Sequence, residues 1–227
     1  MPHVRAGTLE GTTRTTRTMM DGSPRTSTAE HWDLVYATKE ITEVGWFQAD
    51  PAVSMRLLSE LVPSTSSVID VGAGASGLVD VLLDAGFLDV TVLDVSDEAL
   101  AVVRDRLAER ASAVSFVEAD VRSWAPPRQW HVWHDRAVFH FLVDPHDQAR
   151  YVTTAGRAIA SGGVAVIGCF APDGPEQCSG LPTARYDAEA LAERFGDAFR
   201  LERSLREVHT TPEGTEQAFT WAVLRRR

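Results

Sequence analysis

The sequence predicts an α/β fold built on a doubly wound, mostly parallel sheet that ends in an antiparallel β-hairpin. Three observations predict it. Short apolar runs rich in Val and Ile alternate with amphipathic stretches of helical length, as successive βα units do. The first of these runs, "SSVIDVG", leads straight into a glycine-rich turn at the head of a helix. The last two long runs are separated only by a turn, and strands so joined must pair antiparallel.

Residues 1–28 are dominated by Thr, Arg, Gly and Ser without apolar periodicity, which predicts a flexible extension. The folded domain then spans 29–227. A capped helix start near Ser27–Glu30 precedes "HWDLVYAT". "PAVSMRLLSELV" has helical spacing, with Pro51 suited to the first turn. "SSVIDVG" is the first strand, and "GLVDVLLDAGF" is a helix that Gly86 stops. "DVTVLDVS" and "VSFVEAD" are the next two strands, with the helix "DEALAVVRDRLAERA" between them. "WHVWHDRAVF" holds the fourth strand, which Trp133 and His134 finish, with Asp135-Arg136 just after it. "ARYVTTAGRAIASGG" reads as a helix ending at Gly162-Gly163, followed by "VAVIGCF" as the fifth strand. After the helix "DAEALAERFG", the runs "AFRLERSLREVHT" and "TEQAFTWAVLRR" form the hairpin, turning around Pro212-Glu213-Gly214. This makes seven strands in one domain, with no internal repeat.

A chain of 227 residues accommodates one such core. Its net charge of −10 and single lysine, Lys39, argue against nucleic acid as a partner, because phosphate binding needs clustered cations. The closing Arg225-Arg226-Arg227 run reads as a solvated end. No stretch reaches the roughly 18 apolar residues of a membrane span, and no signal-peptide pattern opens the chain, so no membrane partner and a cytoplasmic location are expected. The two cysteines, Cys169 and Cys178, supply neither a disulfide framework nor a zinc pattern.

The strongest local signal is "VIDVGAGASGLVD". Gly72, Gly74 and Gly77 form a GxGxxG between strand and helix. The first two glycines permit a tight turn and close approach of a ligand, and the third permits close packing of helix on strand. Asp70 stands two residues before the first glycine, where a pyrophosphate would be repelled and a cationic ligand welcomed. Asp94 closes the second strand and suits ribose hydroxyls. Asp120 closes the third and can accept from an adenine amino group. Each acid taken alone is also an ordinary strand-end residue.

"VIDVGAG", "VLDVS" and "EADV" together resemble the cofactor-binding motifs of class I S-adenosylmethionine-dependent methyltransferases, over roughly residues 30–227. The resemblance implies a Rossmann-like seven-stranded sheet with an antiparallel last strand. It implies that Asp70 and the loop Gly72-Ala73-Gly74 through Gly77 hold the methionine part of the cofactor. It further implies that Asp94 with Val95 binds the ribose, that Asp120 with Val121 borders the adenine, and that S-adenosylhomocysteine is the product. The lead-in "HWDLVYATKEITEVGWFQADP" is similar to that of small-molecule methyltransferases of the thiopurine and tellurite-resistance type, where it lies over the cofactor. Trp32, Tyr36, Trp46 and Phe47 are then pocket residues, or else core aromatics that anchor the first helix. "HDRAVFHFL" resembles the Asp-Arg pair of the same type, which implies that Asp135 and Arg136 lie beside the transferable methyl and that the arginine can meet an anionic acceptor. Ala137 stands where glycine is the usual variant.

Methyl transfer is an in-line displacement in which the protein mainly aligns the nucleophile and excludes water. A thiol needs little help from a base. A hydroxyl or amine needs one, and His134, Asp135 and His140 are the candidates, with Arg136 completing the catalytic set. His134 is also counted among the cofactor contacts. His131 and His134 point to opposite faces of a strand, so no metal site is expected. Cys169 reads as inert core, whereas Cys178 lies in "APDGPEQCSGLP", a long loop that is a candidate substrate lid. The polar residues His209, Thr210, Thr211, Glu216 and Gln217 mark the hairpin ends. The expected activity is methylation of a small molecule, a thiol or other soft acceptor ahead of the rest, by a monomer or homodimer. Protein lysine methylation is the alternative, and cofactor binding without turnover a third reading.

Overall fold

The computed structural model describes residues 27–227. Most of the expected flexible extension therefore lies outside the described residues, while Ser27 and Thr28 already belong to the first helix. The helices are α1 (Ser27–Thr38), α2 (Ala52–Leu61), α3 (Leu78–Asp84), α4 (Asp97–Leu107), α5 (Pro145–Ala158) and α6 (Ala188–Phe195). The main strands are β1 (Val68–Val71), β2 (Val90–Asp94), β3 (Val114–Glu118), β4 (Trp130–Arg136) and β5 (Ile159–Phe170). A small ribbon follows, β6 (Gln177–Cys178) with β7 (Leu181–Pro182), and then the hairpin of β8 (Phe199–Thr210) and β9 (Glu216–Arg226).

One seven-stranded sheet runs β3-β2-β1-β4-β5-β9-β8. Its first five strands are parallel, and β9 pairs antiparallel with both β5 and β8. The winding reverses between β1 and β4, the switch point where open α/β sheets present a crevice at the strands' carboxyl ends.

Strand parity sorts the side chains into two cores. Val68, Val90, Val92, Val132 and Val164 face α2, α3 and α4, where they meet Leu57, Leu82 and Leu100. Ile69, Leu93, Trp133, Ala165 and Ile167 face α5 and α6, meeting Tyr151, Leu191 and Phe195. Successive residues of a strand point to opposite faces, so the same parity decides where every polar strand residue goes.

Three expectations need correction. α5 ends at Ala158, because the chain becomes extended at Ile159 and its register against β4 shifts between Ile159 and Val164, a stretch in which Gly162 sits at φ +74°. The helix after β2 stops at Leu107, where Ala108 takes φ +51° and a 3-10 stretch, Ala108–Ala113, follows. β4 extends through Arg136, so Asp135 and Arg136 lie within the strand rather than after it. No described helix is long and apolar enough to cross a membrane.

Candidate active site

A cavity of about 340 Å³ opens at the switch point, beyond the carboxyl ends of β1, β2 and β4. Its floor is the loop after β1. Gly72 and Gly74 hold φ of +60° and +56°, a region costly for any residue with a Cβ. A Cβ on Gly72 would stand 2.0 Å from Val138 Cγ2, and one on Gly74 would stand 2.2 Å from the Tyr36 hydroxyl. Gly77 differs. A Cβ there meets nothing within 4 Å and φ is ordinary, so the expected close helix packing does not require this glycine.

Asp70 and His134 are partners in the β1–β4 register and face the α2 side. His134 Nδ1 lies 2.7 Å from Asp70 Oδ1, and its Nε2 lies 2.9 Å from the hydroxyl of Ser54 on α2. All three line the cavity. Both ring nitrogens of His134 are thus committed, and it is not a free base.

Asp94 accepts from the backbone N–H of Gly74 at 2.7 Å and of Ser96 at 2.8 Å. Burial raises its pKa to about 6, against the pull of those hydrogen bonds. It ties the glycine loop to the head of α4 and still borders the cavity with Val95. Asp120 lies two residues beyond the end of β3 rather than closing it. Its carboxylate receives Arg122 Nε at 2.9 and 3.1 Å, while Arg122 Nη1 reaches Asp147 at 2.9 Å. Burial pushes the Asp120 pKa upward, but the Arg122 hydrogen bonds hold it below the usual range. Asp120, Val121 and Arg122 all line the cavity, and only the leftover lone pairs of Asp120 are open to a ligand. The acceptor set suits a ligand carrying cationic and hydroxyl groups without phosphate.

The lead-in segment covers the site. Trp32, Tyr36, Ile41, Trp46 and Phe47 border the cavity, with Trp46 packed edge-on against Trp32 at 5.6 Å and Tyr36 at 6.2 Å. Cys178, Leu181 and Pro182 bring the β6–β7 ribbon to the opposite rim. His209 Nε2 meets the Gly45 carbonyl at 2.9 Å, which fastens the lead-in to the hairpin.

Of the four expected catalytic residues, the structure brings only His134 and Arg136 to the cavity. Asp135 has the opposite parity. It is fully buried on the α5 side, accepting from the N–H groups of Val138 at 2.9 Å and Phe139 at 3.1 Å and from the Tyr151 hydroxyl. His140 is fully buried between Phe141 and Phe170, at ring distances of 4.5 and 4.4 Å, and is not part of the cavity wall. Burial, with the charge of Arg136 nearby, lowers its pKa to about 3. Arg136 donates through Nη1 to the Trp46 carbonyl at 3.1 Å and lies over the Phe219 ring at 4.7 Å. Its Nε and Nη2 are covered and have no hydrogen-bond partner among the described residues. Burial lowers its pKa only to about 10, so it stays cationic at neutral pH. No cluster of three His, Cys, Asp or Glu side chains suited to a metal exists among the described residues.

Sequence reasoning missed Ser54, Arg122 and Val138. Arg122 had a signal, since "DVR" places a cation two residues after the acid. Ser54 and Val138 had none, because tertiary packing alone brings them to the loop.

Comparison with known proteins agrees with this architecture. Residues 68–163 match the family described as a methyltransferase domain. A curated eEF1A lysine and N-terminal methyltransferase from Danio rerio is 26% identical over 148 residues, covering 62% of this chain and 21% of the relative. The chain thus spans about a fifth of that relative's length. A protein solved in work on conversion of a disulfide bond into a thioacetal group during echinomycin biosynthesis superposes with a TM-score of 0.70 at 21% identity, over 87% of this chain and 92% of the other. The N-methyltransferase NodS from Bradyrhizobium japonicum, solved with S-adenosylhomocysteine, gives 0.64 at 15% identity, over 88% and 99%. Residues 68–163 thus match a methyltransferase domain, and the chain shares its fold with S-adenosylmethionine-dependent methyltransferases.

Proposed function

We propose that this domain transfers the methyl group of S-adenosylmethionine to a small anionic acceptor, with a thiol or related soft nucleophile ahead of other classes. The observation that carries this reading is Arg136. Its Nη1 is spent on Trp46, and the Nε/Nη2 edge is left buried and unpaired. That edge is the two-pronged face that grips a carboxylate, and an unpaired buried cation is costly until an anion meets it.

The residues present fit the cofactor. Asp70 would supply negative charge for its ammonium end, Asp94 and Val95 would hold the ribose, Asp120 and Val121 would hold the adenine, and the glycine cradle leaves room for its chain. The bound cofactor supplies an activated methyl on a sulfonium. The protein's own part is alignment and exclusion of water, through Trp46, Phe47 and the ribbon at Cys178. None of the expected bases is free to act at the site: His134 lines it but is committed, and Asp135 and His140 lie outside it. An acceptor that arrives already ionised, such as a thiolate, needs none of them. The aromatic lead-in over the cavity supports the thiopurine and tellurite-resistance kinship as well.

Protein lysine methylation is the second reading, favoured by the curated relatives that carry that name. The Arg136 charge opposes it, since a lysine ammonium would meet a like charge at the inner wall. Incubation with labelled cofactor tests the choice. Small carboxylate-bearing thiols should accept methyl, their amides poorly, and Arg136→Met should raise KM for the acids about 10- to 100-fold while S-adenosylhomocysteine binds as before. Label appearing only in protein from a cell extract would move the assignment to lysine. Label in neither class, with cofactor bound, would favour a binding protein without turnover.

A further inference from the structure

The chain Ser54–His134–Asp70 joins α2, β4 and β1 in one buried line of hydrogen bonds, 2.9 Å and then 2.7 Å long. Ser54, His134 and Asp70 are exposed by only 2%, 2% and 3%. The sheet register dictates half of it, because Asp70 and His134 are direct partners on adjacent parallel strands and share a face. α2 dictates the other half, placing the Ser54 hydroxyl at the far ring nitrogen. The imidazole itself is held at 5.9 Å from the Trp221 ring on β9.

This arrangement solves an electrostatic problem. A carboxylate that must attract a cationic ligand has to be fixed in place without losing its charge to a permanent partner. Asp120 shows the other outcome, with Arg122 clasped across its carboxylate. At Asp70 the partner is an imidazole that orients one oxygen, Oδ1, through Nδ1–H and adds no net charge in its neutral form. The Asp70 carboxylate can only accept, which puts a proton on Nδ1, and in the neutral ring the Ser54 hydroxyl then donates to Nε2.

We propose that Ser54 and His134 are positioning residues that hold Asp70 for the amino-acid end of the cofactor, a role resting on Asp70 as the site of that end. Neither touches the reacting atoms. Losing Ser54 unpins the far side of the imidazole, losing His134 frees the carboxylate, and in both cases the penalty falls on one end of the ligand only.

Calorimetry on the full chain with two ligands tests this. S-adenosylhomocysteine carries the α-ammonium and carboxylate; 5′-methylthioadenosine has the same nucleoside and sulfur without them. Ser54→Ala should weaken S-adenosylhomocysteine about tenfold, the scale of one hydrogen bond to a charged group, and change 5′-methylthioadenosine less than twofold. Ser54→Thr keeps the hydroxyl and should restore most of the loss. His134→Asn, whose amide can still donate to Asp70, should fall between wild type and His134→Leu. Equal weakening of both ligands would mean that the line only holds the cavity together, and unchanged affinity for both would remove Ser54 and His134 from any such role. Should wild type bind neither ligand, the cofactor assignment itself fails, an outcome distinct from the other two. Folding of each variant is read from its thermal transition, and Ser54→Cys, near in size but a weak donor, stands in if Ser54→Ala does not fold.

Discussion

His140 has no hydrogen-bond partner among the described residues at either ring nitrogen, and it is packed among Phe141, Phe170 and Phe219. Two buried polar atoms without partners are a cost to folding, so an apolar side chain of similar size is tolerated there. The pH dependence has a definite sign. Burial and the neighbouring Arg136 lower the folded-state pKa to about 3, whereas the unfolded chain keeps the ordinary value near 6.5. Between those limits the unfolded chain binds the proton and the folded one does not. The neutral residue's contribution is therefore whole above about 6.5 and is lost as pH falls toward 3, by about 1.4 kcal/mol per unit. His140→Leu should match or exceed wild-type stability at pH 8 and gain on it steadily below pH 6.5. Urea titrations across that range check this. A variant that stays level with wild type at every pH, or that loses methyl transfer outright at pH 8, would return His140 to the active site.

At the scale of elements, the turn that leaves β4 is fixed by Asp135. Its carboxylate collects the Val138 and Phe139 N–H groups and the Tyr151 hydroxyl, and Tyr151 in turn accepts from Trp133 Nε1 at 2.8 Å. The turn matters to the site because it seats Val138 against Gly72 and delivers Ala137 at φ +71°, a strained value for alanine. Asp135→Ala should therefore destabilise by about 3 kcal/mol, as three buried donors lose one acceptor, and should weaken cofactor binding only as a consequence. Denaturant midpoints together with S-adenosylhomocysteine affinity separate the two effects; a variant that folds normally and loses only turnover would contradict the structural role. The same turn explains what the sequence could and could not reveal. Order and type of the seven main strands were legible, because apolar runs and glycine stops are local signals. The glycine loop, Asp70 and Asp94 were legible for the same reason. What "WHDRAVFHFL" does was not, because His134, Asp135 and Arg136 are told apart only by strand parity, and His140 only by how the chain turns after β4. Parity depends on where β4 ends, and β4 runs through Arg136, two residues past the expected His134. Ser54 was invisible, since nothing in "PAVSMRLL" says which helix face meets β4.

At the scale of the whole molecule, the cavity is enclosed by parts the sheet does not contain. Its floor and back are strand ends and their loops, stabilised by the two cores, but its cover is α1 with the segment through Gln48 on one side and the β6–β7 ribbon on the other. The cover is fastened by individual side-chain bonds, among them His209 on the Gly45 carbonyl, Arg136 on the Trp46 carbonyl, Gln48 on Glu207, Arg122 on Thr28 and Ser96 on Asp33, where its hydroxyl reaches the carboxylate at 2.9 Å. Segments held by a few tertiary bonds open at lower free energy than the strands beneath them. A ligand bound under such a cover stabilises the closed form by mass action, by about 2.7 kcal/mol at a hundredfold excess over Kd. Saturating S-adenosylhomocysteine should therefore slow amide exchange most in residues 27–48 and 177–182 and at the glycine loop. The exposed edge strand β8, on the far side of β9, should exchange as before. Peptide-level hydrogen exchange with and without the ligand reads this directly. Protection confined to the loops after β1 and β2, with the two cover segments unchanged, would mean that they wall the acceptor side alone and leave the cofactor open to solvent.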